Sequence, residues 1–238
     1  MLFYYIRHGD PTYDPDELTP LGRRQAEAVA HRLTQHGLDE IYVSSSTRAQ
    51  QTCQPTCEIL KMQPTVLDWT NEHYAWLQLS VLDEQGNRHW GFGDPETCRL
   101  FASEELAKLR FDWYRHPYFD GTDFEIGIKR IQKEAYAFLE GQGYVFDRER
   151  GGFLATRPND KRIALFAHQG FGLAFLSILM NIPYPLFCTH FDMSHSDVSV
   201  IHFAERDGLV IPKMLMMSND SHLYRDGLPT RYNNRIFI

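Results

Sequence analysis

Two short apolar runs in this chain each end on a histidine. Leu2-Phe3-Tyr4-Tyr5-Ile6 leads into Arg7-His8-Gly9, and Ile163-Ala164-Leu165-Phe166-Ala167 leads into His168-Gln169-Gly170. Runs this short, bulky and continuous read as strands buried on both faces, the pattern of a parallel sheet. In an open α/β sheet, ligands settle beyond the carboxyl ends of the strands, near the point where strand order switches. Two imidazoles at two such ends can face one crevice. Arg7 adjoins the first histidine, and Arg48 falls in the first turn of a helix predicted after Ser44-Ser45-Ser46. Guanidinium groups pair with phosphate oxygens, and helix N-termini offer free N–H groups to anions. Two arginines, two histidines and a helix start together read as a phosphate site.

The elements that must position these residues are legible in outline. Thr19-Pro20 opens a helix, with Thr19 as cap and Pro20 at the first position. Leu21, Gln25, Val29 and Leu33 follow at spacing four, and Gly37 ends the pattern. Glu40 to Val43 reads as a second strand, Thr47 to Lys61 as a helix that Pro55 should kink or shorten, and Val66 to Trp69 as a weak third strand. Thr122 to Leu139 is the clearest helix: Thr122 and Glu125 have capping-box spacing, and Phe124, Ile128, Ile131, Ala135 and Phe138 form one stripe. Residues 144–160 read as loop or a short ribbon, and Phe171 to Met180 as a hydrophobic helix. Ser199–Phe203 and Leu209–Met217, separated by Asp207-Gly208, read as a hairpin at the sheet edge. Residues 83–120 break the βα rhythm. They read as an insertion or cap with one or two helices after Asp94-Pro95, whose aromatics either build a small core of their own or line a substrate cleft.

Composition bounds the class. Hydrophobic residues make up 43% of the 238 and charged residues 23%, which is ordinary globular composition. The 24 Lys and Arg against 31 Asp and Glu leave a net charge of -7, which argues against a nucleic-acid partner. No apolar run approaches the ~20 residues of a membrane span. Cys53, Cys57, Cys98 and Cys188 are too few for a disulfide framework, and the Cys53–Cys57 spacing does not match the usual zinc pattern. Arg7 interrupts the first apolar run too early for a signal peptide, so a reducing cytoplasm is the expected compartment. The expectation is α/β: a three-layer α/β/α sandwich around a mostly parallel sheet. Residues 1–238 are read as a single domain, with 83–120 as a helical insertion over the carboxyl edge of the sheet.

Four segments in order resemble the histidine phosphatase superfamily, also called phosphoglycerate mutase-like. They are Arg7-His8-Gly9, Leu18-Thr19-Pro20-Leu21-Gly22-Arg23-Arg24-Gln25-Ala26, Ser44-Ser45-Ser46-Thr47-Arg48-Ala49-Gln50-Gln51-Thr52, and the turn at His168. The tail Asn219-Asp220-Ser221-His222-Leu223 is also similar. The resemblance implies a covalent mechanism with His8 as nucleophile. It implies that Arg7, Arg48, His168 and, by position, Thr12 hold the phosphoryl oxygens. It places Glu72, in Thr70-Asn71-Glu72-His73-Tyr74, as the acid that protonates the leaving oxygen, with Asp10 and Asp14 as runners-up. No metal or other cofactor is implied, because arginines supply the positive charge, and the expected partner is a small phosphorylated substrate.

The departures bear on substrate. Asp14 stands where the family commonly has an amide, Gln169 intervenes between His168 and Gly170, and Gly121-Thr122 replaces a common Glu-Ser. They argue against a phosphoglycerate mutase. A mutase and a non-catalytic phosphate-binding module nevertheless stand as alternatives to a phosphatase. His190, Asp192 and His195 offer side chains a metal could use, and His222 is expected to pack or hydrogen-bond near the site rather than catalyse.

Overall fold

A computed structural model of the chain describes residues 1–232. Strand β1 (Leu2–Arg7) is followed by a small hairpin of β2 (Pro11–Tyr13) and β3 (Asp16–Leu18). Helix α1 (Pro20–Leu33) starts where the Thr19 hydroxyl accepts from the Gly22 N–H, as the Thr-Pro pair predicts. Then come β4 (Glu40–Ser44), α2 (Thr47–Leu60), β5 (Thr65–Leu67) and α3 (Glu72–Gln78). A hairpin of β6 (Ser80–Leu82) and β7 (Arg88–Trp90) leads to two short helices, α4 (Pro95–Phe101) and α5 (Glu104–Leu109). The long α6 (Phe124–Gly141) precedes a ribbon of β8 (Tyr144–Asp147) and β9 (Gly152–Ala155). The chain continues through β10 (Arg162–Ala167), α7 (Gln169–Leu179), α8 (Tyr184–His190) and β11 (Val198–His202). Strands β12 (Glu205–Arg206), β13 (Leu209–Val210) and β14 (Lys213–Asn219) and helix α9 (Ser221–Arg225) follow.

Six strands form the central sheet, in the order β14-β11-β1-β10-β4-β5. Strands β1, β10, β4 and β5 run parallel; β11 is antiparallel to β1, and β14, antiparallel to β11, runs in the same direction as β1. Side chains alternate across it with the period of two that extended backbone imposes. Phe3, Tyr5, Ile163 and Leu165 pack into a core shared with α6, α7 and α8. Ile6, Ala164, Phe166, Ile41 and Val43 point the other way, onto Val29 and Leu33 of α1 and Cys53 and Cys57 of α2. Each large apolar side chain so buried contributes about 1.5–3 kcal/mol. The expected three-layer α/β/α sandwich is the architecture found.

Local readings differ in instructive places. Helix α2 runs on through Pro55, with Ala49, Cys53 and Cys57 buried on both sides of it. Helix α6 has no side-chain cap: the Thr122 hydroxyl donates instead to the Phe119 carbonyl, 2.7 Å away. The Asp207-Gly208 turn, with φ of 53° and 80°, joins β12 to β13, which pair with β8 and β9 in a second sheet. The edge pairing of the main sheet is β11 with β14, around this excursion. In the insertion, Phe101, Trp113 and Phe119 are buried against Phe124 of α6 and Tyr184 of α8. Most aromatics of residues 83–120 therefore serve packing; Trp90 packs against this core too and also lines a cleft.

Candidate active site

Strand order decides which loops meet. Strand β10 lies between β1 and β4, and Arg7 stands in register with Ala167. The next residue of each strand is a histidine. The His8 N–H donates to the Ala167 carbonyl at 3.0 Å, and the two rings lie 5.3 Å apart. The loop carrying His8 is pressed against the first turn of α1. A Cβ on Gly9 would lie 2.7 Å from the Gly22 carbonyl oxygen, and one on Gly22 would lie 2.2 Å from that of Asp10. Both contacts are with backbone, so both positions require glycine.

His8 Nδ1–H donates to the Gly9 carbonyl at 2.8 Å, which leaves the Nε2 lone pair free. Burial, then His168, Arg7 and Arg48, pushes its pKa well below the ordinary 6.5, so the ring is neutral at pH 7. His168 is fully buried beneath it. Its Nδ1 accepts from Arg48 Nη2 at 3.2 Å, and its Nε2–H donates to Ser44 Oγ at 2.8 Å. Burial and the two arginines keep this ring neutral as well.

Arg48 is held at the start of α2, where its Nη1 donates to Asp16 Oδ1 at 2.6 Å. Asp16 Oδ2 accepts from the Thr47 N–H at 2.9 Å, so one carboxylate sits on an arginine and a helix N-terminus together. Arg7 is fully buried, and its Nη1 donates to the Met193 carbonyl. Glu72 opens α3. Its Oε1 accepts from the Gly170 N–H at 2.9 Å and from the Phe171 N–H at 3.4 Å, both in the first turn of α7. Its Oε2 is buried without a hydrogen bond, 3.4 Å from His168 Nδ1. Arg7, His8, Arg48 and Glu72 line one cleft of about 720 Å³, with Asn71, Ser45 and Trp90 among its other walls.

The structure thus brings together five of the six residues singled out from sequence. Thr12 stands apart. It lies exposed on the β2–β3 hairpin, outside the cleft lining, and its hydroxyl donates to the Pro15 carbonyl at 2.7 Å. Asp14 is exposed on the same hairpin, so its carboxylate does not face the phosphate position. Gln169 lines the cleft and donates through its side chain to Asp192. The prospective metal ligands diverge. Asp192 serves Gln169 and the Met193 N–H, and His190 lies exposed at the end of α8. His195 lies 3.5 Å from Asp10 Oδ1 with its ring 5.8 Å from that of His8. Among the described residues, no group of three or more His, Cys, Asp or Glu side chains is placed to hold a metal ion. His222 hydrogen-bonds to Ser196 Oγ at 3.0 Å, and the Ser196 N–H donates to the His8 carbonyl at 3.0 Å, so it supports the loop from behind.

Sequence reasoning named His195 only as a possible metal ligand, left Asp16 unmentioned, and held Trp90 only among aromatics that either pack or line a cleft. The first follows from the antiparallel register of Ile6 with Val198, which places the residues just before β11 beside those just after β1. No local signal marks the other two.

Residues 3–124 match the family model of the histidine phosphatase superfamily, branch 1, just over half of the chain. The chain belongs to that superfamily. No curated protein matches it. Among solved structures, it resembles the phosphoserine phosphatase of Entamoeba histolytica in complex with 3-phosphoglyceric acid, with a TM-score of 0.60 at 18% identity over 93% of this chain and 98% of that one. It also resembles a mycobacterial glucosyl-3-phosphoglycerate phosphatase, at 0.56 and 19% over 91% and 98%. A third is the alpha-ribazole phosphatase of Shigella flexneri, at 0.58 and 16% over 92% and 97%. At these identities the likeness is one of fold. No helix among the described residues is long and apolar enough to cross a membrane.

Proposed function

We propose that this chain is a phosphoric monoester hydrolase that acts on a small phosphorylated molecule through a phosphohistidine on His8, without a metal. The observation that carries the reading is the state of His8: a buried, neutral ring with Nδ1–H tied to the Gly9 carbonyl, bracketed by Arg7, Arg48 and His168. That arrangement supplies a nucleophilic Nε2 where guanidinium groups can hold the equatorial oxygens, the main task in phosphoryl transfer. The same arginines supply the charge that a metal would otherwise bring. The names of the structural neighbours as phosphatases support the hydrolytic reading.

In the proposed cycle, His8 Nε2 attacks phosphorus and the bond to the substrate alcohol breaks. Glu72 is the proposed acid. Its Oε1 is committed to two backbone N–H groups, so Oε2 carries the proton that passes to the departing oxygen. Water then attacks phospho-His8 and returns a proton to the Glu72 carboxylate, which releases phosphate. Asp10 is less suited to the acid role, because the hydrogen bond from His195, then that from Thr19, hold its carboxyl below the usual range.

The test is hydrolysis of p-nitrophenyl phosphate in excess chelator, wild type beside His8→Ala. Turnover that survives chelator and falls at least a thousandfold in the variant is the expected result. Loss of turnover to chelator would overturn the metal-free reading. Phosphate binding with no turnover would favour a binding module, and 2-phosphoglycerate formed from 3-phosphoglycerate would identify a mutase.

A further inference from the structure

Beyond the phosphoryl end, the cleft changes character. Trp90, from the hairpin that opens the insertion, and Trp76, from α3, both line it. Their rings meet edge to face, 5.0 Å apart at 71°, and form an aromatic corner. Phe92 stacks on Trp90 at 5.4 Å and 12°, which braces that ring from behind. The corner adjoins the proposed proton donor. A Cβ built on Gly170 would lie 2.4 Å from Trp90 Cη2 and 2.7 Å from Glu72 Oε1. An indole edge, the tethered Glu72 Oε1 and the start of α7 therefore converge on one spot, which sets Trp90 beside the carboxylate that would protonate the departing alcohol.

The charges there are equally selective. Among the described residues lining the cleft, the cations are Arg7 and Arg48, both at the phosphoryl end. Arg48 already shares itself with Asp16 and His168. The anions on the walls are Asp16 and Glu72. A leaving group with a carboxylate or second phosphate would meet carboxylate oxygens and no unused guanidinium or ammonium group. A flat, uncharged ring would meet the Trp90–Trp76 corner, where aromatic contact and apolar burial both favour it. We infer that the substrate is a phosphate monoester whose alcohol carries a flat ring and no second anionic group, with the ring seated on the Trp90–Trp76 corner. The inference rests on the phosphatase reading above and narrows it. It also separates this cleft from one built for phosphoglycerate.

The experiment compares kcat/KM for benzyl phosphate, a nucleoside 5′-monophosphate, glycerol 2-phosphate and 3-phosphoglycerate, with p-nitrophenyl phosphate as a general probe. The first four are esters of alkyl alcohols, so intrinsic leaving-group reactivity is nearly constant. The ring esters should exceed glycerol 2-phosphate by about tenfold, the scale of one aromatic contact, and 3-phosphoglycerate should be slowest. In Trp90→Leu, which keeps apolar bulk without the π face, the ratio of benzyl to glycerol ester should fall toward one. Trp76→Leu should lower the same ratio and serves if the first variant misfolds. An unchanged ratio in folded variants, or 3-phosphoglycerate turned over as fast as the ring esters, would overturn the inference. Turnover of every ester without ring preference defeats this inference alone. No turnover of any ester, p-nitrophenyl phosphate included, defeats the phosphatase reading and this one with it.

Discussion

The Glu72 carboxylate divides its oxygens between two tasks. Oε1 takes two N–H groups from the start of α7, which fixes the side chain, and Oε2 is buried with no hydrogen bond of its own, 3.4 Å from His168 Nδ1. If Oε2 supplies the leaving-group proton, Glu72→Gln keeps the tether and loses the acid. We expect kcat/KM for glycerol 2-phosphate to fall about 10²–10⁴-fold, the range for general acid catalysis. For p-nitrophenyl phosphate, whose phenolate leaves without a proton, the loss should stay below about tenfold by the same reasoning. Equal losses on both esters would remove Glu72 from the acid role. At this scale the sequence was informative about residue type: two histidines and two arginines were identifiable from their places at strand ends and a helix start, and Glu72 from the family resemblance. It was not informative about Thr12, because a hydroxyl on a hairpin can turn to solvent-side carbonyls as easily as to a cleft, and here it bonds to Pro15.

Among the elements, the first turn of α1 controls the His8 loop through backbone contact. Gly9 and Gly22 allow the two segments to touch with no side chain between them. The Asp10 carbonyl also accepts from the Thr19 N–H at 2.9 Å, so the loop and the helix start are joined on both sides of the contact. Gly22→Ala places a methyl group into that backbone and should destabilise the protein by about 1–3 kcal/mol, the usual cost of overpacking. For a chain of this size each kcal/mol lowers the thermal midpoint by roughly 2–4 °C. A melting curve identical to wild type would show that α1 and the loop can part without cost. Strands and helices of the βα repeats were legible because their apolar spacing is local. The fate of the Asp207-Gly208 turn was not, and residues 144–160 stayed open between loop and ribbon, since the sheet they share pairs segments some 55 residues apart, Val210 with Phe153 for example.

Across the whole molecule, buried histidines make stability a function of pH. His222 is held by Arg32 and Ser196, and burial, then Arg32, pushes its pKa down to about 4. The unfolded chain protonates this histidine near 6.5 while the folded chain does not, so its contribution is present above 6.5 and is lost as pH falls below it. His8 and His168 act in the same direction. Asp197 acts in the opposite one: burial raises its pKa to about 7, so the folded state takes up its proton first and gains stability as pH falls from 7. By pH 5 the loss from His222 alone is about 2 kcal/mol, from 1.36 kcal/mol per pKa unit. Urea unfolding of His222→Gln at pH 7.5 and pH 5 should show a smaller acid-induced loss than wild type. Equal losses would mean that His222 is not kept neutral by the fold.

From the chain alone came the residue types that can hold a phosphate, their order, the strands and helices that carry them, and a globular α/β class. Those properties are local: apolar spacing, capping residues and glycine at loop positions are written within a few residues of where they act. Only the tertiary structure decided that β10 enters between β1 and β4, which sets His168 beside His8 rather than at a distant strand end. It decided that antiparallel β11 delivers His195 to the same place, and that within residues 83–120 Trp90 reaches the cleft while Phe101, Trp113 and Phe119 pack against α6 and α8. Strand order and register are settled by burying both faces of the sheet at once. That condition joins residues 160 positions apart, such as Leu2 and Arg162, and no short stretch of sequence contains it.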